Sequence, residues 1–169
     1  MSDERFPVVD ETGRVIGAAL RREVHGDPRL IHPVVHCIVT DRAGRWLLQL
    51  RCRDKDVQPG KWDTSVGGHV SFGEAIEAAL ARELLEEIGV RAADVSPRFL
   101  YRYLMRNAIE SELVHTYTCV TEGPFTRQVE EIDELRFWAA DAITAALGTG
   151  VFTPNFEEEY GRYRAAAGP

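Results

Sequence analysis

Three glutamates lie within five consecutive residues near the middle of the sequence: Glu83, Glu86 and Glu87. In a helix, with about 100° per residue, their carboxylates would fall within an arc of about 100°. Such neighbouring acids repel one another by about 0.2–0.5 kcal/mol per pair even in water. Carboxylate oxygens are the ligands that Mg²⁺ prefers, so a bound divalent cation would relieve this repulsion. A solvated acidic face is the alternative, but such a face normally interleaves basic residues, and only Arg82 stands beside these acids.

A helix has to hold these acids together, and the surrounding residues predict one. The apolar stripe that would face the core consists of Ile76, Leu80, Leu84 and Ile88. Ser71 and Glu74 have the spacing of a capping box, in which each side chain binds a free backbone N–H at a helix start. Gly89 supplies the stop, because glycine readily adopts the left-handed conformation that ends helices. We therefore predict a helix from about residue 72 to residue 88, and the capping box accounts for Glu74.

The same segment resembles the Nudix hydrolases. Their signature, G-x5-E-x7-R-E-U-x-E-E-x-G-U with U aliphatic, is satisfied at every position by Gly68, Glu74, Arg82, Glu83, Leu84, Glu86, Glu87, Gly89 and Val90. Such a match would occur by chance on the order of once in a hundred million registers. The resemblance implies an α/β (α+β) fold, the Nudix-type α/β/α sandwich with a mixed β-sheet.

The resemblance also implies roles for individual residues. Glu83, Glu86 and Glu87 would bind Mg²⁺ or Mn²⁺, and the Gly68 carbonyl would join the metal shell. Glu83 would also be the candidate general base, and Arg82 would orient the acids. Water polarised by the metal would attack a phosphorus of a diphosphate linkage, while the cations neutralise charge on the attacking and leaving oxygens.

Over nearly its full length the chain also resembles the metal-dependent isopentenyl diphosphate isomerases, which are relatives of the Nudix fold. Their metal set of histidines and glutamates is matched in type and order by His25, His32, His69, Glu110 and Glu112. Imidazole nitrogen suits Zn²⁺, Mn²⁺ or Fe better than Mg²⁺, so the resemblance implies a second site for a transition metal. Arg51 and Lys55 match residues that bind the diphosphate in the isomerases. Taken singly, each of these residues also fits an ordinary surface or core position.

Two departures from the isomerase pattern argue against isomerisation. The isomerase cysteine in the motif Ser-Val-Cys-Gly-His falls on Gly67, and glycine can neither donate nor abstract a proton. The tryptophan that stabilises a carbocation in the isomerases falls on Asn155, which lacks the required π-face. The corresponding tyrosine of the isomerases falls on Tyr101 or on Tyr103 in this chain.

The pattern along the whole chain predicts a single domain. Its 169 residues, 44% of them hydrophobic, suffice for one core but not for two ordinary domains. We predict an N-terminal β-hairpin within residues 1–24, a loop and helix at 68–90 and a frayed tail at 164–169. Further strands are predicted at residues 33–40, 45–51, 62–66, 99–105, 113–120 and 135–138, and further helices at 140–147 and 155–164.

Charge and apolar patterning limit the expected partners. The formal net charge of -7 gives no basic stripe for a nucleic-acid polymer. No segment approaches the roughly 20 apolar residues of a membrane span, so we expect a cytoplasmic protein with a small-molecule partner. The widely spaced Cys37, Cys52 and Cys119 favour buried, reduced thiols over a disulfide or a zinc site.

Three functions remain open on these residues. The leading one is a Mg²⁺-dependent pyrophosphohydrolase that acts on a nucleoside diphosphate derivative or another small diphosphate compound. The alternatives are an isopentenyl diphosphate isomerase-like enzyme and a non-catalytic nucleotide-sensing Nudix module, although a pure sensor has no need of the complete acidic set. Loops at residues 105–109 and 122–131 would select the substrate. A homodimer that pairs through the N-terminal hairpin is also open.

Overall fold

The order of strands and helices places helices on both faces of one mixed sheet. The computed structural model describes residues 4–55 and 57–168. The strands of this part of the chain are β1 (Arg5–Val9), β2 (Val15–Leu20), β3 (Ile31–Thr40), β4 (Trp46–Arg51), β5 (Trp62–Asp63), β6 (Val66–His69), β7 (Arg98–Arg106), β8 (Ser111–Val120) and β9 (Ile132–Trp138). Its helices are α1 (Arg21–Val24), α2 (Ile76–Ile88), α3 (Ala92–Val95), α4 (Ala140–Ala146) and α5 (Pro154–Ala167).

Strand β3 is the centre of the sheet, and its two edges have very different partners. One edge pairs in parallel with β8 along the whole length of β3. The other edge pairs in turn with three antiparallel strands, β1, β6 and β4. The pairing of β3 with β4 is confined to Thr40 and Trp46, so these two strands diverge and β6 occupies the edge between them.

Alternate residues of β3 enter two separate cores, one on each face of the sheet. On the first face, Val35, Cys37 and Val39 pack with the stripe of α2, namely Leu80, Leu84 and Ile88. On the second face, Ile38 packs with aromatic residues of β4 and α5, namely Trp46, Phe156 and Tyr160. The sheet therefore lies between α2 and α5, which confirms the predicted mixed sheet with helices on both faces.

Helix α2 begins later than the capping box predicts. It starts at Ile76, and its N-cap is Ala75 rather than Ser71. Gly73 has φ +85, a left-handed conformation that interrupts a helix, and Glu74 closes this turn by accepting the Ser71 N–H at 2.9 Å. The predicted end is confirmed, because Gly89 adopts the left-handed conformation with φ 71 and caps the helix.

The predicted elements elsewhere need smaller corrections. The N-terminal hairpin is formed by β1 and β2, while residues 1–3 of its predicted range lie outside the described residues. The strand predicted at residues 62–66 is two short strands, β5 and β6. The prediction of a frayed tail from residue 164 is wrong as far as Ala167, because α5 continues to that residue; its terminal alanines have the highest helix propensity.

The cysteines and the helices can be compared with the expectations about disulfides and membrane spans. All three cysteines are buried and free, as predicted. No helix in residues 4–55 and 57–168 is long and apolar enough to cross a membrane.

The packing of α2 predicts a large difference between two adjacent leucines. Leu84 is fully buried against the sheet, whereas 54% of Leu85 is exposed. We expect Leu84→Ala to lower the free energy of unfolding by about 2–5 kcal/mol, because it leaves a cavity in the core. The matched variant Leu85→Ala should change it by no more than about 0.5 kcal/mol. Urea unfolding of both variants measures the difference, and equal destabilisation would contradict the packing described.

Candidate active site

Glu83 of α2 lies directly against the backbone of Gly68 in β6. Only 12% of its side chain is exposed. A Cβ atom at residue 68 would lie 2.6 Å from Cγ of Glu83 and would overlap its carboxylate. The glycine is therefore required for space, because any larger residue would displace the carboxylate from the edge of β6.

Glu87 approaches the same strand one turn further along α2. Its Oε2 atom accepts hydrogen bonds from the Gly67 backbone N–H at 3.2 Å and from Nε2 of Gln49 at 2.9 Å. Burial, and next the charge of Glu83, raise the pKa of Glu87 to about 8. Burial also raises the pKa of Glu83, against the opposing effect of Arg82. Glu86 points outwards, with 50% of its side chain exposed.

Arg82 fastens this acidic end of α2 to the loop that precedes it. Its guanidinium donates to both carboxylate oxygens of Glu74, at 2.9 and 3.0 Å, and to the backbone oxygen of His69 at 3.0 Å. The same guanidinium contacts Glu83 at 2.6 Å and Glu86 at 3.4 Å. The interpretation of Glu74 as a helix cap was therefore wrong, because its carboxylate binds the Ser71 N–H in a turn before α2 and also holds the arginine that contacts the acids.

The chemistry of this donor set fits a divalent cation. Glu83 and Glu87 are largely buried, and burial raises the pKa of both carboxyl groups. A charged carboxylate in this position is therefore costly without a counter-charge. A hard cation supplies that charge and binds the deprotonated form, so loading releases protons. With Glu86 and the Gly68 carbonyl, which the family resemblance adds to the set, the ligands would all be oxygen atoms, the kind that Mg²⁺ accepts.

A second group of possible metal ligands lies on the α5 face of the sheet. The Nε2 atoms of His25 and His69 are 3.1 Å apart, and Glu110 lies 3.4 Å from His25. Glu112 lies 3.9 Å from His32. Two overlapping sets of three residues have possible ligand atoms within 4.8 Å of one another. The first set is His25, His32 and His69, and the second is His32, Glu110 and Glu112. The structure thus brings together all five residues matched to the isomerase metal set.

The surroundings of His32 fit a metal ligand. Its side chain is fully buried, and neither ring nitrogen has a hydrogen-bond partner among the described residues. Burial, and next the charge of His25, lower the pKa of His32 to about 4, so the ring is neutral. Neutral imidazole is the form that binds metals. Phe6 stacks on the neighbouring His69 ring at 4.5 Å and fixes its orientation.

The two basic residues matched to diphosphate binding are each paired with an acid. Arg51 lies 3.4 Å from Asp63 and also donates to the Val57 backbone oxygen at 3.1 Å. Lys55 forms an ion pair with Glu131, which belongs to the loop at residues 122–131. Burial, and next the charge of Arg51, lower the pKa of Lys55, while Glu87 opposes this shift. Both cations therefore lie near the acidic end of α2.

Sequence reasoning missed Glu159, a fully buried carboxylate of α5. It accepts hydrogen bonds from His36 Nδ1 at 2.9 Å, from the hydroxyls of Tyr101 and Tyr103 at 2.6 Å each and from Thr116 at 3.0 Å. One signal was available, because Glu159 is an acid on the otherwise apolar face of α5, between Phe156 and Tyr163. Both candidate tyrosines thus reach one carboxylate, while Asn155 lies in the first turn of α5.

Comparison with known proteins relates this geometry to a family. The NUDIX domain model matches residues 30–156 of the chain. An uncharacterized Nudix hydrolase of Yersinia pestis is 32% identical, over 94% of this chain and 91% of its own length. An isopentenyl-diphosphate Delta-isomerase of Corynebacterium diphtheriae is 35% identical, over 90% of this chain and 88% of its own length. The crystal structure of DR0079 from Deinococcus radiodurans has a TM-score of 0.83 at 24% identity, covers 95% of this chain and 100% of that one, and shows the same fold.

Proposed function

The chain belongs to the NUDIX domain family, and on this premise we propose that it uses divalent cations to hydrolyse a diphosphate linkage. The substrate is a nucleoside diphosphate derivative or another small diphosphate compound. The observation that carries the proposal is the pair of buried carboxylates, Glu83 and Glu87, held against the backbone of Gly67 and Gly68. Such a pair is stable as two anions only with a counter-charge.

Each residue near this pair has a role in the proposed reaction. Glu83, Glu86, Glu87 and the Gly68 carbonyl would hold Mg²⁺ or Mn²⁺, which would supply polarised water and neutralise phosphoryl charge. Glu83 is the candidate general base, because its carboxylate lies at the edge of β6 and can accept the proton of that water. Arg82 keeps Glu83 in place through its contacts with Glu74 and with the His69 backbone.

Arg51 and Lys55 bind the diphosphate of the substrate in this proposal. Their present partners, Asp63 and Glu131, are partly exposed acids, with 21% and 39% of their side chains exposed, and a phosphoryl group can replace them as the source of negative charge. Glu131 belongs to the loop at residues 122–131, so engagement of Lys55 by substrate also rearranges the contacts of a loop beside the site. In this proposal the protein acts in the cytoplasm, and its binding partner is a small molecule rather than a nucleic acid or a membrane.

A phosphate-release screen tests the function directly. The panel contains nucleoside diphosphate sugars, dinucleoside polyphosphates, oxidised nucleotides and prenyl diphosphates, with Mg²⁺ or Mn²⁺. A phosphatase is added only for substrates without a terminal phosphate, to liberate phosphate from their monoester products, and inorganic pyrophosphatase is added for the others. We expect turnover of at least one class, and its complete loss when EDTA removes the metal. An absence of products throughout the panel with both metals would overturn the proposed hydrolysis.

The second candidate function, isomerisation of isopentenyl diphosphate, is favoured by the complete cluster of histidines and glutamates. Residue 67 argues against isomerisation, because it is a glycine and has no side chain that could transfer a proton. A Cβ atom at this position would lie 3.2 Å from the His36 ring. Incubation with isopentenyl diphosphate in deuterated water separates the two functions. Incorporation of deuterium into the recovered diphosphate would favour isomerisation, whereas release of phosphate would favour hydrolysis.

The histidine cluster predicts a second metal that is distinct from Mg²⁺. We expect the purified protein to contain Zn²⁺, Mn²⁺ or Fe, and His69→Ala to lose it, because imidazole ligands select transition metals. Elemental analysis by mass spectrometry measures the metal content per chain. His115→Ala is the control, since that half-buried ring bonds to the Leu113 backbone and lies outside the cluster. Equal metal content in both variants would count against the second site.

A further inference from the structure

The imidazole of His36 lies between the buried Glu159 and the backbone of the candidate active site. His36 of β3 is paired in register with Gly67 of β6, so the two residues face the same side of the sheet. Its Nδ1 atom bonds to Glu159, while its opposite side faces Gly67. A Cβ atom at residue 67 would lie 3.2 Å from Cδ2 and 3.5 Å from Nε2 of this ring.

Glu159 and His36 form a buried ion pair. Although burial by itself raises the pKa of Glu159, the hydrogen bonds from His36 and from two tyrosines hold it below its ordinary value. Burial lowers the pKa of His36, but the hydrogen bond to Glu159 together with the negative charges of Glu159, Glu112 and Asp63 outweighs burial and raises the pKa to about 9. The ring is therefore an imidazolium at neutral pH, with both nitrogens carrying protons.

One of these two protons has no acceptor within the described part of the chain. Nδ1 is used by Glu159, but Nε2 makes no hydrogen bond to a described residue, and 13% of the side chain is exposed. The charged or titratable groups near the ring are Glu159 from α5, Tyr101 and Tyr103 from β7, Glu112 from β8, Asp63 from β5 and His69 from β6. A slightly exposed, positively charged donor thus borders a site whose other nearby groups are mainly acidic.

A buried ion pair that serves stability alone does not require this arrangement. Such a pair is best stabilised when every proton of the cation has an acceptor, because an unused charged donor near the interior is costly. Here Gly67 leaves the Nε2 side of the ring uncovered, where any side chain would press on it. The Gly67 N–H also bonds to Glu87, so the uncovered ring and the candidate metal ligand are separated by one residue.

We propose that His36 is a further substrate-binding residue, whose Nε2–H donates to a phosphoryl oxygen of the diphosphate, and that Glu159 is the positioning residue that orients it. The inference rests on the proposed function and extends it by a contact on the α5 face of β6. The ring would neutralise the part of the diphosphate that the cations held by α2 do not reach. Glu159, fixed by four hydrogen bonds, prevents the ring from turning away.

Ring resonances of the wild-type protein give a first test that needs no hydrolysis. Methylenediphosphonate, a non-hydrolysable diphosphate, is titrated with Mg²⁺ while the histidine side-chain signals are followed by NMR. We expect the NMR signal of His36 Nε2 to shift when the protein is saturated with methylenediphosphonate. The signal is assigned by connecting the ring resonances of His36 to the backbone resonances of the same residue. His115 is the internal reference, because it faces the opposite side of the sheet and should not shift. A His36 signal that stays unchanged at saturation would overturn the inference.

Kinetics of His36→Gln give a second test, on a substrate found by the screen. A hydrogen bond from a charged donor has a net contribution equivalent to about 10–100-fold in affinity, so KM should rise by that factor. The value of kcat should change much less, because the contact binds the diphosphate before and during the reaction. An unchanged KM would contradict substrate contact by this ring.

Glu159→Gln separates positioning from mere structural support. We expect the variant to lower the pH at which His36 titrates, to raise KM at neutral pH and to recover part of the lost affinity as the pH is lowered and the ring is protonated again. A purely structural role predicts lower stability with no such recovery. If the protein hydrolyses a substrate but His36→Gln changes neither KM nor kcat, this inference alone is overturned. If the His36 signal shifts with methylenediphosphonate but no substrate is hydrolysed, the proposed hydrolysis alone is overturned.

Discussion

Glu87→Gln and Glu86→Gln are each expected to reduce kcat/KM for diphosphate hydrolysis by at least about 100-fold. Loss of a group that only supports a metal ligand already costs about 10–100-fold, and these changes remove anionic ligands themselves. The screen's best substrate, assayed at saturating Mg²⁺, measures the loss. Retained turnover in both variants would remove the proposed mechanism.

The same variants should remain folded, which separates catalysis from stability. The pKa of Glu87 is raised to about 8, so without metal this carboxyl is mostly protonated at neutral pH, and a neutral glutamine replaces it with little change in charge. Glu86 is half-exposed, and its only hydrogen bond or ion pair among the described residues is the one with Arg82. Glu77→Gln, on the same helix but with its carboxylate on Tyr117, is the matched control and should keep full activity. Thermal unfolding of all three variants checks that none is globally destabilised.

Gly68→Ala is expected to damage both activity and folding. The added Cβ atom would overlap the Glu83 carboxylate, which has to move because the strand backbone cannot. A displacement of about 1 Å at a reacting group can cost about 100-fold in rate. Overpacking of this kind also lowers the free energy of unfolding by about 1–3 kcal/mol.

A second glycine provides the control for this prediction. Gly161 lies inside α5, and a Cβ atom there would meet nothing within 4 Å. Gly161→Ala should therefore leave activity unchanged and stabilise the helix by about 0.5–1 kcal/mol. Denaturant unfolding and kcat/KM are measured for both variants. Wild-type activity in Gly68→Ala would mean that the carboxylate of Glu83 need not lie at the edge of β6.

The parts of the fold that the sequence predicted are those with local periodic patterns. The stripe of α2 and the stop at Gly89 were predicted correctly, because a core-facing helix repeats its apolar residues at a fixed spacing. The start of α2 was not, because Ser71 and Glu74 do interact but close a turn that the left-handed Gly73 separates from the helix. A capping pattern cannot distinguish these two uses of the same pair of residues.

The candidate site was predictable only where residues match a family pattern or share an element. The five possible ligands of the second metal were found by their match to the isomerases, and they do meet in the structure. Glu159 was missed because its partners come from β3, β7 and β8, and no spacing along the chain joins residues that far apart. The pairing of Lys55 with Glu131 is equally non-local, since it depends on how a long loop returns to the site.

The alternation of side chains along β6 has an evolutionary consequence. Gly68 faces the acids of α2, whereas its neighbours Gly67 and His69 face the opposite layer with His36 and the histidine cluster. The two candidate metal sites are thus separated by the thickness of a single strand, and a mutation in the histidine cluster can alter that site while sparing the acids of α2. A lineage could gain or lose a transition metal without rebuilding the magnesium side. An insertion of one residue in this strand would instead exchange the two faces and destroy both at once.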